Sequence, residues 1–436
     1  MAEAAVLAAF AGALFLCIGT GLSLLPALLF GWCLFFGYGL YRKHTASEMM
    51  RAAFSGVRAV QGILFTFVLI GAITAAWRAA GTIPYIVYHA AALCDPRAMV
   101  LATFLLSSLL SFLTGTSVGT AATMGVICVT MARSMDVPLF LAGGAALAGA
   151  YFGDRCSPMS TSALLVASVT KTDLYDNLRG MMRTARVPFA ASCALYALAG
   201  LTCGAHGGAS DALRIFEANF SLHPASLLPA LVMIALALCR VPVRYAMGLS
   251  ILCGGLCALF TEHLTLSALF RLLVEGYHPA DAAAAALLSG GGVLSMVNTF
   301  CIVCISSCYA GMLGRTGLLR GLQKGLLRFS RRASPFGGIL LASVVTNFIA
   351  CNQTLAILLT RQLCEDAEPD RKRMALHLEN TAVVVAALVP WSVACAVPLS
   401  AMGAPPSVLP AACYLYFLPL WNYFTSYRAW RRAAEK

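Results

Sequence analysis

The chain has 436 residues, 60% of them hydrophobic and 11% charged, with a mean hydropathy of +0.81. A soluble domain carries about twice that share of charge, so the composition excludes a water-soluble globule and points to an integral membrane protein. The formal net charge of +12 reads as the orientation signal of basic loops, and no nucleic-acid partner is expected.

Apolar runs of about 20 residues, each long enough to cross a hydrocarbon core of roughly 30 Å as a helix, recur from Ala4 to Tyr427. The first, Ala4 to Gly19, lacks the basic flank of a signal peptide and runs into a second, Leu22 to Tyr41, so it reads as a retained span. Further crossings are expected at Val60 to Trp77, Leu139 to Thr170, Val187 to Cys203, Pro224 to Cys239, Tyr245 to Phe260, Ala282 to Leu313, Leu378 to Pro405 and Leu409 to Tyr427. Ile83 to Leu93 is too short to cross. Leu318 to Phe329 is amphipathic, with Arg320, Lys324 and Arg328 opposite its leucines, and both segments read as interfacial helices.

Met99 to Ala132 and Phe336 to Leu363 are interrupted by "LTGTSVG" and "ACNQT". As hairpins returning to their own side, they leave most of the 30 lysines and arginines on the side of the N-terminus. Only Arg78, Arg97, Arg133, Arg214 and Arg271 face the other side, with Arg155 inside the membrane. As crossings they make the split nearly even, so the positive-inside rule favours re-entrant hairpins. Both termini then lie in the cytoplasm, beneath a cytoplasmic (inner) membrane crossed many times.

That threading exposes an all-α polytopic fold of inverted-topology repeats, each with a re-entrant hairpin and an interrupted helix. The first repeat is 1–203, with hairpin 99–132 and interrupted helix 139–170. An extracytoplasmic linker follows, 204–223. The second repeat is 224–436, with hairpin 336–363 and interrupted helix 378–405. The separation from Thr116 to Asp154 nearly equals that from Cys351 to Pro390. Repeats of this kind, meeting at broken elements in mid-membrane, are a common design of secondary transporters.

Unpaired backbone at membrane depth must be buried in protein or line a cavity, so "TGTS", "GDRCSPMSTS", "ACNQT" and "VPWS" are expected to converge on one. Gly115 and Gly153 allow tight turns, and Pro158 and Pro390 free carbonyls. With Thr114, Thr116, Ser117, Ser157, Ser160, Asn347, Asn352 and Gln353 these form a candidate ion- or substrate-binding set. Asp154, a carboxylate inside an apolar run, is the leading candidate proton or sodium carrier, the alternative being a simple pair with Arg155. Glu379 is a second candidate proton carrier, or a solvated residue beside the charged loop Glu365 to Arg373. Trp391 reads as packing, and the seven histidines carry no assigned chemistry.

The 17 cysteines lie mostly in apolar segments and read as small hydrophobes. Cys301, Cys304 and Cys308 share a helix face, but no histidine or carboxylate stands near to complete a zinc site. No resident metal or cofactor is expected. The expected partners are membrane lipid and a small transported ion or solute, with a homodimer as candidate assembly.

At these residues the chain resembles the NhaC family of sodium/proton antiporters. The matching stretches are "IGAITAAWRAAGTIP" (Ile70 to Pro84), "LSFLTGTSVGTAATMGV" (Leu110 to Val126), "GDRCSPMSTSALL" (Gly153 to Leu165), "KTDLYDNLRGM" (Lys171 to Met181), "TNFIACNQTLAILL" (Thr346 to Leu359) and "LENTAVVVAALVPWS" (Leu378 to Ser392). The resemblance implies cation/proton exchange, or in some relatives malate/lactate exchange, by an elevator-like movement of the hairpin domain. The chain departs from the family pattern where that pattern has acids: Asn352, Thr161 and Asn380 stand at those positions. Val383, Val385 and Ala386 replace hydroxyls. Each change removes charge or oxygen from a cation site and favours an organic acid, amino acid or amine as the alternative substrate. A passive channel and an intramembrane enzyme built on Ser117 fit less well, the latter for want of a base at that depth.

Overall fold

The structure, a computed structural model, describes residues 2–20, 23–203, 208–239, 241–316 and 334–434. The interfacial helix expected at Leu318 to Phe329 falls outside them. Among the described residues the fold is helical, with one isolated bridge between Tyr277 and Gly290. Five helices are long and apolar enough to cross a membrane, and a bent pair, Arg371–Leu388 with Val393–Met402, makes a sixth span if counted as one.

The N-terminal part runs α1 (Ala2–Thr20), α2 (Leu24–Tyr41), α3 (Ala46–Ala59), α4 (Gln61–Ala79) and the short α5 (Thr82–Leu93). Thr45 and Glu48 close a capping box at the start of α3, satisfying two backbone donors that the helix end would leave bare. Next come α6 (Pro96–Thr114) and α7 (Ser117–Thr120), which continues through a π-turn at Ala121–Gly125 into α8 (Val126–Ser134). α8 packs back against α6, so the chain reverses at Gly115 and Thr116. At 19 residues, α6 is itself long enough to cross.

The interrupted helix expected over 139–170 is α9 (Leu139–Cys156) and α10 (Thr161–Thr170), parted at 157–160. The long α11 (Leu174–Thr202) follows. The linker 204–223 is not bare loop: it contains α12 (Gly208–Asn219), tied to α5 by a 2.5 Å bond from the Tyr88 hydroxyl to Glu217. Beyond it lie α13 (Leu228–Leu238), α14 (Val243–Phe260), α15 (Leu266–Glu275), α16 (Ala282–Leu288) and α17 (Val297–Thr316). The expected crossing from Ala282 to Leu313 is therefore broken, at Ser289 to Gly292. The Gly292 N–H donates to Gly71 O of α4 at 2.8 Å, which gives that irregular backbone a buried partner.

The second hairpin comprises α18 (Pro335–Ala350) and α19 (Gln353–Leu363), bridged by a 2.7 Å bond between the Thr346 and Thr360 hydroxyls. Then come α20 (Arg371–Asn380), α21 (Ala382–Val385) with a 3-10 turn at Ala386–Leu388, α22 (Val393–Met402) and α23 (Cys413–Ala434).

The two hairpin tips share one backbone conformation. Gly115 (φ 67, ψ 24) and Cys351 (φ 55, ψ 10) are left-handed C-caps, whose N–H groups bond back to Ser111 O and Asn347 O. Thr116 (φ −142, ψ 123) and Asn352 (φ −144, ψ 127) follow as extended N-caps. The interrupted helices match in the same way. Ser160 and Ser392 are extended N-caps, α10 and α22 have 10 residues each, and left-handed Lys171 and Gly403 close them.

Candidate functional site

Each hairpin tip rests on the break of the interrupted helix that follows it. A Cβ on Gly115 would lie 2.6 Å from the Met159 carbonyl carbon, so only glycine allows this approach, and its positive φ adds to the requirement. In the second half Cys351 O accepts from Val393 N–H at 2.9 Å, and the Trp391 indole donates to Phe348 O at 3.0 Å. Trp391 also packs edge-on against Phe348, which is the packing role expected of it.

Asp154 sits in the last turn of α9, 5% exposed. Its carboxylate faces the Ser117 backbone N–H at the start of α7. Oδ2 also faces the Gln353 amide and the Ser162 hydroxyl, both at 3.4 Å. The Asp154 carbonyl, left without a helical donor by the break, accepts from the hydroxyls of Ser160 and Ser162, the latter at 2.8 Å. Gln353 further donates to Val383 O at 3.0 Å, and the Tyr151 hydroxyl to Ala394 O at 2.5 Å. Groups from both tips and both interrupted helices thus meet around one carboxylate.

Arg155 is not the partner of Asp154. Its guanidinium points away into a set of neutral acceptors: Glu379 O at 3.2 Å, Met181 O at 3.2 Å, the Thr184 hydroxyl at 2.8 Å and the Asn380 side-chain oxygen. Glu379 is fully buried, which overturns the solvated reading, and neither of its carboxylate oxygens has a hydrogen-bond partner among the described residues.

The remaining candidates divide. Ser117 and Gln353 touch Asp154 directly, and Ser160 touches its carbonyl. Thr116, Ser157, Ser160 and Asn352 spend their side-chain oxygens accepting backbone N–H groups at helix starts or turns. Asn347 donates to Ser343 O and Ala382 O and leaves its own oxygen unpartnered. Thr114 has an unpartnered hydroxyl, beside a small gap shared with Met233 and Val243. Gly153 does not turn the chain. It is helical, and a Cβ there would lie 2.1 Å from Phe112 N of α6, so it permits close helix contact.

Sequence reading missed Ser162, Tyr151 and the Arg155 acceptors. Ser162 was visible in the same polar run; the others are set by which helices pack together. A cavity of about 390 Å³ lies on the Asn352 side of the second tip, lined also by Ser55, Gly56, Ser307, Gly311 and Thr354. It adjoins a wider groove that Arg51 and Arg58 border, and among the described residues no acid lines either space.

Fold and site together define a multi-pass helical membrane protein with a buried carboxylate at the junction of two hairpin tips and two broken helices. The profile of the Na+/H+ antiporter family matches residues 149–425, and the chain belongs to that family. It is similar to a malate-2H+/Na+-lactate antiporter of Bacillus subtilis, 25% identical over 84% of this chain and 81% of the relative. It is similar also to the Na+/H+ antiporter NhaC of the same organism, 28% identical over 82% of each. An arginine/ornithine antiporter of Halobacterium salinarum is 26% identical over 85% of this chain and 78% of the relative. These relatives are named as transporters.

Proposed function

We propose that the protein is a secondary active antiporter of the inner membrane that exchanges protons for a cation by alternating access, with Asp154 as the shared carrier. The observation that carries the reading is the Asp154 carboxylate itself. It is buried, it lies in the last turn before a helix break, and its donors come from both hairpin tips. An ionised carboxylate held that deep costs several kcal/mol unless a proton or cation compensates it, so exchanging one for the other is chemistry the site suits. Ser117, Ser162 and Gln353 orient the carboxylate, and Glu379, with both oxygens unpartnered, is a second place for a proton.

The matched conformations of the two tips and of the two breaks support the division into inverted repeats, 1–203 and 224–436, around the linker. Contact between each tip and its break supports tips that sit at membrane depth, with hairpins and interrupted helices moving together as an elevator. Both termini then face the cytoplasm.

The test is reconstitution in liposomes. Internal pH is followed on adding sodium, lithium or potassium, with Asp154→Asn as the control. A preloaded acidic lumen should alkalinise on adding sodium in the wild type and not in the variant, and exchange should fall at an external pH that keeps Asp154 protonated. Equal rates in wild type and variant would remove Asp154 from the mechanism.

One observation favours a second reading, exchange of a small organic acid or amino acid. The cavity beside Asn352 has no carboxylate among the described residues of its lining and opens near two arginines, which suits a solute carrying its own negative charge. A pH response to organic solutes with none to metal cations would select it.

A further inference from the structure

We propose that the groove where α3 passes into α4 is a binding site for an anionic glycerophospholipid, its phosphate held by Arg51 and Arg58 and its acyl chains lying along α4. The groove has a volume of about 800 Å³, and Arg51, Phe54, Arg58, Gln61 and Leu64 stand in its wall. The opposite face of α3 is spent on protein: Met49, Ala52, Ala53 and Gly56 are buried, the last directly against Ser307 of α17. Arg51 and Arg58 are seven residues apart, so two helical turns set them on one exposed face, about 10 Å from each other along the axis.

Depth points to a lipid. As a helix the 19 residues of α4 cover about 28 Å, close to the roughly 30 Å of a hydrocarbon core, so Arg58 and Gln61 at its start stand at the level of the headgroups. An apolar strip continues the groove from there: Phe65 is 58% and Val68 41% exposed, both on the helix face of Gln61 and Leu64. Charge makes that lipid an anionic one. The ion pairs among the described side chains use other cations, namely His44, Arg179, Arg271, Arg361, Lys372 and Arg373. Glu48, three residues before Arg51, accepts from the Thr45 N–H at 2.9 Å and faces His44 at 3.9 Å. The two guanidinium forks match phosphate oxygens, whereas the ammonium of a zwitterionic lipid would meet no carboxylate among the described residues of the groove.

The site is separate from Asp154 and stands whether or not the exchange reading does. Delipidated protein in a neutral detergent is titrated with phosphatidylglycerol, phosphatidylcholine or glycerol 3-phosphate, and native mass spectrometry counts the bound molecules. One phosphatidylglycerol should bind saturably, and phosphatidylcholine and glycerol 3-phosphate should each bind about tenfold more weakly or worse, the first lacking net charge and the second lacking acyl chains. Arg51→Gln and Arg58→Gln should each weaken phosphatidylglycerol binding about tenfold, the loss expected for one charged hydrogen-bonding partner. Arg58→Lys should fall between. Arg42→Gln, in the loop before α3 and outside the groove, should match wild type.

Both groove arginines are exposed, so their variants should melt with wild type in lipid-free detergent. If Arg51→Gln does not fold, Arg58→Gln and Arg58→Lys decide the matter. The proposal is overturned if phosphatidylcholine binds as tightly as phosphatidylglycerol or if the glutamine variants in the groove bind like wild type. Equal binding of glycerol 3-phosphate would make this a site for a free anion, and an equal loss in Arg42→Gln would reduce it to diffuse attraction to a basic surface; either result also overturns it.

Discussion

Arg155 joins α9 to α11 and α20 through uncharged oxygens, so its role is to fix the frame in which Asp154 sits. Arg155→Met would leave Asn380, Thr184 and two carbonyls short of a charged donor and should lower unfolding free energy by about 2–4 kcal/mol. Arg155→Lys should recover only part of this, because an ammonium has three donors and no planar fork. Denaturation in detergent measures both, and a Met variant as stable as wild type would deny the frame. Glu379 poses the opposite case, a carboxylate with no donor to lose. Glu379→Gln should keep or raise thermal stability while slowing proton exchange; a destabilisation above about 1 kcal/mol would mean the carboxylate is paired after all. The burial of Asp154 was legible because an acid in an apolar run has few bland explanations. Glu379 was not, since the same residue beside a charged loop is exposed or buried according to how α20 enters the bundle, and sequence spacing does not hold that information.

The hairpin tips show how much an element's sequence reveals of its backbone. Glycine, threonine and asparagine marked both breaks correctly, and proline with serine marked the interrupted helices, because each residue type has a local conformational reason to be there. At Gly115 the left-handed φ of 67 and the nearby Met159 backbone act together. Gly115→Ala should therefore cost about 1–3 kcal/mol in thermal or chemical unfolding. Cys351 holds the same conformation with a buried side chain. Cys351→Gly should stay within about 1 kcal/mol of wild type, relief of strain offsetting lost thiol burial. Equal costs at the two tips would contradict the difference between them. Local signals failed where tertiary contact sets the break. The glycines at 290–292 lie in an apolar run long enough to pass for one crossing, and what unwinds them is packing against Gly71 of α4. The helix in the linker was hidden for a related reason, since it is held by Tyr88 of α5.

At the scale of the molecule, composition alone established a polytopic membrane protein, but nothing in it says which helices are locked together. Packing does. A Cβ on Gly56 of α3 would lie 2.0 Å from Ser307 O, and one on Gly311 of α17 1.8 Å from Ala52 O. Helices in such close contact have no room to slide, so α3 and α17 behave as one rigid wall. Facing that wall across the 390 Å³ cavity is the tip of α18 and α19, whose other side touches Asp154 through Gln353. If the hairpin travels with its cargo, this space must stay clear. Thr354 is exposed at the cavity's edge, so Thr354→Trp should preserve folding, with the melting temperature little changed, while reducing liposomal exchange about tenfold or more, the effect of raising the barrier to movement by about 1.4 kcal/mol. Unchanged exchange in a folded Thr354→Trp protein would mean that neither the hairpin nor the solute uses the cavity, and the moving boundary would have to lie elsewhere.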